Sequence, residues 1–195
     1  MENTLAEALW VAHSLFERGK TSGSSANLSF RVDDRVYITA SGSCFGTLKE
    51  GDFSQVSLNG SLLAGEKPSK ELPLHLHFYR NKPGIQAVIH THGPYAALWS
   101  CRKDLDENDA IPAFTPYLEM KLGKVACVPY AKPGSQELFD FFERELPKGE
   151  GFLLRNHGAI VGGKSIMEAF FRLEELEENA RLAYLICGPG ECRRL

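Results

Sequence analysis

Gln86-Ala87-Val88-Ile89-His90-Thr91-His92-Gly93-Pro94 is the stretch on which the reading of the fold turns. Gln86-Ala87-Val88 reads as the buried part of a β-strand that runs on into the histidines. Successive side chains on a strand alternate faces, so His90 and His92 point the same way at the strand's end. A lone strand histidine is commonly a core or surface residue. A pair at this spacing is half of a divalent metal site, since a catalytic zinc takes three protein ligands and keeps one position open. The third ligand is supplied by Leu154-Arg155-Asn156-His157-Gly158-Ala159, a polar turn between two apolar runs. A turn buried in that way is costly unless its polar groups find partners.

Outward from this strand, hairpins and helices alternate. Thr4-x-x-Glu7 forms a capping box for a first helix that Gly19 stops. Leu28 to Val32 and Val36 to Thr39 are strands joined at Asp33-Asp34. Phe53 to Leu58 and Ser61 to Leu63 form a hairpin with a type I′ turn at Asn59-Gly60. Pro68-Ser69-Lys70-Glu71-Leu72-Pro73 opens a helix with Ser69 as its cap, and Pro83-Gly84 ends it. Ala96 to Cys101 is a short helix, Asp104 to Pro116 a loop-rich excursion, and Val125 to Val128 a strand. Ser135 caps the next helix. Phe152 to Leu154 and Ala159 to Gly162 are strands flanking His157. Ser165-x-x-Glu168 starts a long final helix that Gly188 ends, followed by a frayed tail. The expected fold is α/β: a central, mainly antiparallel sheet flanked by helices, in one domain over residues 1–187 with a tail at 188–195.

The chain has 195 residues, of which 43% are hydrophobic and 24% charged, as in an ordinary globular protein. Its formal net charge is −3 and it carries no basic block, so nucleic acid is not an expected partner. Five scattered cysteines without a CxxC suit a reducing cytoplasm. The first residues show no basic and apolar leader pattern, and no apolar run reaches the roughly 20 residues that cross a bilayer. No membrane partner is expected.

Glu71, in the first turn of its helix, is the candidate general acid/base or displaceable fourth ligand. At a helix start it could equally serve the helix dipole alone. His75, one turn later, is placed to support Glu71 or a ligand. His77 and His13 are assigned no role. Three small-residue loops, Ser24-Ser25-Ala26-Asn27, Ala40-Ser41-Gly42 and Ser69-Lys70, offer hydroxyls, open N–H groups and one ammonium. Together they suggest a monophosphate pocket, though not a P-loop, whose GxxxxGK[ST] pattern is missing. Imidazole ligands alone leave zinc, manganese, cobalt and iron open.

Ala26-Asn27-Leu28-Ser29, Ala40-Ser41-Gly42, Pro68-Ser69-Lys70-Glu71, His90-Thr91-His92, Pro129-Tyr130-Ala131 and Asn156-His157-Gly158 stand in an order and spacing that identify a family. By these motifs the chain resembles the class II aldolase/adducin family over nearly its whole length. The resemblance implies one divalent metal ion per subunit, zinc before others, on His90, His92 and His157, with Glu71 as acid/base and fourth ligand. It implies phosphate contacts from Asn27, Ser41, Gly42, Ser69 and Lys70. Tyr130 matches a tyrosine that reaches a neighbouring subunit's site in the aldolases, which implies a catalytic role and a homotetramer with sites at subunit interfaces. The aldolases carry a second serine where Lys70 stands. Ser69-Lys70-Glu71, Thr115-Pro116-Tyr117 and Glu174 to Arg181 look like the 3-oxo-tetronate 4-phosphate decarboxylase subgroup.

That subgroup implies loss of CO2 from a phosphorylated sugar acid through a metal-stabilised enediolate, yielding dihydroxyacetone phosphate. A cation chelated by a ketone and its neighbouring hydroxyl meets the negative charge that develops. One rival keeps the site and cleaves a phosphorylated ketose such as L-fuculose 1-phosphate. The other is a non-catalytic adducin-type module, which has no physical need for four inward-pointing metal-competent side chains.

Overall fold

A computed structural model describes residues 2–188, 190 and 191; the expected frayed tail at Arg193-Arg194-Leu195 lies outside the described residues. Eight strands form one sheet: β1 (Asn27–Val32), β2 (Arg35–Thr39), β3 (Phe53–Ser57), β4 (Leu62–Ala64), β5 (Ala87–Thr91), β6 (Ala126–Val128), β7 (Gly151–Leu154) and β8 (Gly158–Gly163). Their order is β4-β3-β2-β1-β5-β8-β7-β6. Only β6 and β7 run parallel, so the sheet is mainly antiparallel, as the hairpin signals predict. The helices are α1 (Glu2–Glu17), α2 (Leu72–Asn81), α3 (Pro94–Ser100), α4 (Pro116–Leu122), α5 (Gln136–Glu145) and α6 (Ile166–Cys187). Among the described residues no helix is long and apolar enough to cross a membrane.

Both faces of the sheet are covered, which is why its central strands carry buried apolar side chains on both sides. β5 is buried at every position. On one face Leu28, Phe30 and Ile89 pack with Val11 and Leu15 of α1 and with Phe170, Leu173 and Leu176 of α6. On the other, Val88 and Ile160 pack with Leu74 and Phe78 of α2 and Phe139 and Phe142 of α5. The rings of Phe78, Phe142 and Phe152 meet with centroids 5.3–6.0 Å apart. Such pairs add roughly 0.5–1.5 kcal/mol each beyond their area. They seat α2, and with it Glu71, against the sheet. Phe78 also needs Gly162 on β8, where a Cβ would lie 2.9 Å from its ring.

Several local expectations are corrected. α1 begins at Glu2, so Thr4 lies inside its first turn and is not the cap. Nothing in Glu2-Asn3 breaks the helix before it. The β3–β4 hairpin is not type I′, which needs positive φ at both central residues. Gly60 has φ 90° and Asn59 is not among the positive-φ residues. Gly60 N–H bonds Ser57 O and Ser57 N–H bonds Ser61 O, so a three-residue loop closes on a glycine bulge. The cap position of α2 belongs to Glu71, not Ser69. α3 starts at Pro94, two residues before expected, and α4 was not anticipated. Ser135 and Ser165 cap α5 and α6 as read, each hydroxyl accepting the N–H three residues on.

Candidate metal centre and its cavity

The sheet order sets the middle of the chain beside its C-terminal third. β5 lies between β1 and β8, with His90 opposite Asn27 on one side and Ile160 on the other. β5 ends at Thr91, so His92 stands one residue past it, still on the side of His90. His157 comes in from the β7–β8 turn. Asn156 adopts φ 53° there, a conformation Asn tolerates better than most residues. The turn presses on β5 so closely that a Cβ on Gly158 would lie 2.3 Å from Thr91 O. Only glycine lets His157 come this near His92.

Four side chains converge. Glu71 Oε2 lies 3.2 Å from His90 Nε2, and Glu71 Oε1 lies 3.3 Å from His157 Nε2. His90 Nε2 and His92 Nε2 are 3.1 Å apart. One ligand-capable atom from each of Glu71, His90, His92 and His157 falls within 4.8 Å of every other. His90 Nδ1 donates to Ala159 O at 2.9 Å, which leaves the Nε2 lone pair facing the cluster. His157 and Glu71 come close without aligning: His157 Nδ1 and Nε2 and Glu71 Oε1 are buried with no hydrogen-bond partner among the described residues. Buried polar atoms are rarely orphaned, and this cluster of donor atoms fits a bound cation.

The charge states agree. Burial alone would raise the Glu71 carboxyl, but the His90 and His157 imidazoles and the Asn27 amide hold it well below the usual carboxylate range. Burial pushes His92 down to about 4 and His157 to about 3, each reinforced by His90 and opposed by Glu71. At neutral pH His92 and His157 are neutral imidazoles and Glu71 is an anion, the forms in which these groups ligate a metal.

Behind Glu71 runs a buried chain of hydrogen bonds. Asn27 Nδ2 donates to Glu71 Oε2 at 3.1 Å. Asn27 Oδ1 must therefore accept, and it lies 2.5 Å from His75 Nε2. With its proton on Nε2, His75 accepts at Nδ1 from the Ser29 hydroxyl at 2.7 Å. Tyr79 OH lies 2.6 Å from Ser29 Oγ and supplies that oxygen with a proton. Each link fixes the direction of the next, and the chain ends by presenting an N–H to Glu71. At the cap of α2, Glu71 makes no capping bond with its side chain, which reaches the histidines instead. His75 thus supports Glu71, through Asn27.

In front of the cluster opens a cavity of about 480 Å³ lined by Ser24, Ser25, Ser41, Gly42, Ser69 and Lys70 together with Asn27, Glu71, His92 and His157. Ser24, Ser41 and Lys70 make no side-chain hydrogen bond or ion pair among the described residues. Among the described residues Lys70 is the only cation in the lining, and its stem lies across Gly134, where a Cβ would be 3.1 Å from Lys70 Cδ. Asn27 lines the cavity too, with one amide hydrogen engaged by Glu71. Tyr130 does not line the cavity: it follows β6 and is 40% exposed. His77 faces Glu143 and His13 bonds Leu48 O, both outside the site.

Sequence reasoning missed Ser29 and Tyr79. The signal was there: Asn27 and Ser29 are polar at alternate positions of a strand whose other face is apolar. Tyr79 could not be found, because its partner is 50 residues away.

Residues 6–184 match the family described as class II aldolase and adducin N-terminal domain. The chain is 43% identical over 191 residues to the 3-oxo-tetronate 4-phosphate decarboxylase of Pectobacterium atrosepticum, covering 97% of this chain and 87% of that one. It is 39% identical over 176 residues to the L-fuculose phosphate aldolase of Methanococcus maripaludis, covering 90% and 93%. The crystal structure of YgbL from Klebsiella pneumoniae superposes with a TM-score of 0.92 at 38% identity, covering 98% of this chain and 93% of that one.

Proposed function

Since the chain belongs to the class II aldolase and adducin family, we propose that it is a metal-dependent carboxy-lyase converting 3-oxo-tetronate 4-phosphate to dihydroxyacetone phosphate and CO2. The observation that carries this reading is the Glu71–His90–His92–His157 cluster at the wall of a hydroxyl-lined cavity with a single ammonium. The identity to the Pectobacterium decarboxylase supports the substrate. That substrate has two anionic groups, and Lys70 supplies the second anion with a charge that a serine would lack. The aldolase reading, cleavage of a phosphorylated ketose, keeps the same site and is favoured by the Methanococcus relative.

His90, His92 and His157 would hold the cation, with Glu71 as a fourth, displaceable ligand. Three imidazoles suit a catalytic zinc, provided the carboxylate can give up the fourth position to substrate. Such an ion polarises the ketone and its neighbouring hydroxyl and stabilises negative charge there. The chain's own residues do the rest. Ser24, Ser41, Gly42, Ser69 and the second amide hydrogen of Asn27 cradle the phosphate, and Lys70 pairs with an anionic end of the substrate. The bond between the carboxylate carbon and C2 breaks, CO2 leaves, and its electron pair stays on the C2–C3 unit as an enediolate. One proton from solvent is then consumed at C2. Glu71, ionised at rest and held by Asn27, relays it as negative charge builds opposite. Tyr130, outside its own chain's cavity, serves a neighbouring subunit in a cytoplasmic homotetramer.

The test supplies 3-oxo-4-phosphotetronate to metal-loaded protein and follows dihydroxyacetone phosphate with a coupled reductase. Glu71→Gln is expected to lower kcat by roughly 10²–10⁴-fold with metal content unchanged. Metal-loaded wild type that forms no product refutes the decarboxylase and turns attention to aldehyde release from ketose phosphates. Undiminished turnover in the variant removes Glu71 from the reaction.

A further inference from the structure

α3 lies between the two ligand loops. It starts two residues after His92, and its last residue, Ser100, meets the His157 turn. Ser100 O accepts from the Asn156 N–H at 3.3 Å, and Ser100 Oγ accepts from the His157 N–H at 3.4 Å. This seven-residue helix is therefore a strut whose ends touch both sides of the metal centre.

The strut cannot cap itself. Its N-cap position is Gly93, which has no side chain to offer, and Pro94 has no N–H. The first free donors are the N–H groups of Tyr95 and Ala96, which would be orphaned in the interior. Glu177, from the middle of α6, takes both. Its Oε1 accepts from Tyr95 N–H and its Oε2 from Ala96 N–H, each at 2.8 Å. The carboxylate is buried to 2% exposure, and it fits because residue 93 is glycine: a Cβ there would lie 2.5 Å from Glu177 Oε2. A charged group this deep costs stability unless its partners are worth having. Here the partners belong to the segment that carries His92.

We propose that Glu177 is a positioning residue for the metal centre, clamping α3 so that His92 and His157 keep the spacing a divalent cation needs. The inference rests on the metal reading above. Glu177 touches no ligand and no substrate; it acts through Gly93 to Ala96 at one end of the strut and Ser100 at the other.

The test titrates full-length protein with Co²⁺ alone and reads its visible ligand-field bands. Glu177→Gln keeps the shape but turns an amide N–H₂ toward a backbone N–H. It is expected to bind Co²⁺ roughly 10- to 100-fold more weakly, with an altered band pattern. Val11→Ala in α1 serves as the control: it lowers the melting temperature with Co²⁺ affinity and spectrum unchanged. Gly93→Ala, which pushes the carboxylate off from the other side, is expected to repeat the loss and supplies the test if Glu177→Gln does not fold. A folded Glu177→Gln protein with wild-type affinity and spectrum overturns the clamp alone. Equal weakening in Val11→Ala overturns it as well, by showing that any destabilisation suffices. Wild type that binds no Co²⁺ overturns the metal centre and the clamp together.

Discussion

His75 has no exposed surface, and burial pushes its imidazole down to about 3, with His90 adding to the effect and Glu71 opposing it. In the unfolded chain the same group titrates near 6.5. Between those values the unfolded state binds a proton that the folded state refuses, so stability falls as pH drops below about 6.5. At about 1.4 kcal/mol per pH unit, this one group removes about 2 kcal/mol by pH 5. Replacing His75 by Leu deletes that term. It also strips partners from Asn27 Oδ1 and Ser29 Oγ, at roughly 1–3 kcal/mol for each buried polar group. The variant is therefore expected to be less stable than wild type at pH 7, and that deficit should shrink by about 2 kcal/mol at pH 5. Urea unfolding of the metal-free proteins, followed by circular dichroism at both pH values, measures it. His92 and His157 titrate in both proteins, so their contributions cancel. A deficit that holds or widens at pH 5 would refute the neutral, Nε2-protonated His75 on which the hydrogen-bonded chain depends.

Other outcomes follow from the same geometry. His157→Ala removes one of four converging ligands and should lower metal content and turnover together, by elemental analysis and the coupled assay; a fully active, metal-free variant would sink the assignment. Gly158→Ala should force β8 away from β5, because its Cβ would meet backbone at 2.3 Å. A loss of roughly 1–3 kcal/mol in urea unfolding, with weaker metal binding, is expected, and a neutral result would contradict the close approach. Ser135→Ala removes the cap of α5, a helix that contributes none of the four converging side chains, and should cost about 1 kcal/mol with metal affinity unchanged.

The parts of the site legible in the sequence were those that follow from local geometry. A strand's alternation put His90 and His92 together, and the polar turn at Asn156-His157-Gly158 stood out between apolar strands. What was not legible depends on partners distant in the chain. No local pattern distinguishes Glu71 as a cap from Glu71 as a ligand; the choice is made by histidines 19 and more residues away. The capping of α3 by Glu177, across 82 residues, replaces a local cap that Gly93-Pro94 cannot supply. α4 leaves no stripe in the sequence, because only Leu118 and Leu122 of its seven residues are buried. Asn59-Gly60 does not fix the type of the β3–β4 turn, because Asn-Gly admits more than one loop type.

The order of strands in the sheet bears on how the protein is made. β1 to β4 can pair with near neighbours as soon as they emerge, and β5 can then join β1, but the other edge of β5 must wait for β8, and the bond from His90 to Ala159 closes a loop of 69 residues. Long-range antiparallel pairing of that kind is slow, because loop-closure entropy is lost before the contact forms. His157 reaches its place only with β8, so the cluster is among the last features to assemble. A cation that binds only the assembled cluster would act as a latch on a nearly finished fold. At one hundred times its dissociation constant it would add about 2.7 kcal/mol to stability. The supply of metal in the cell would then govern how long each newly made chain survives, besides how fast it works.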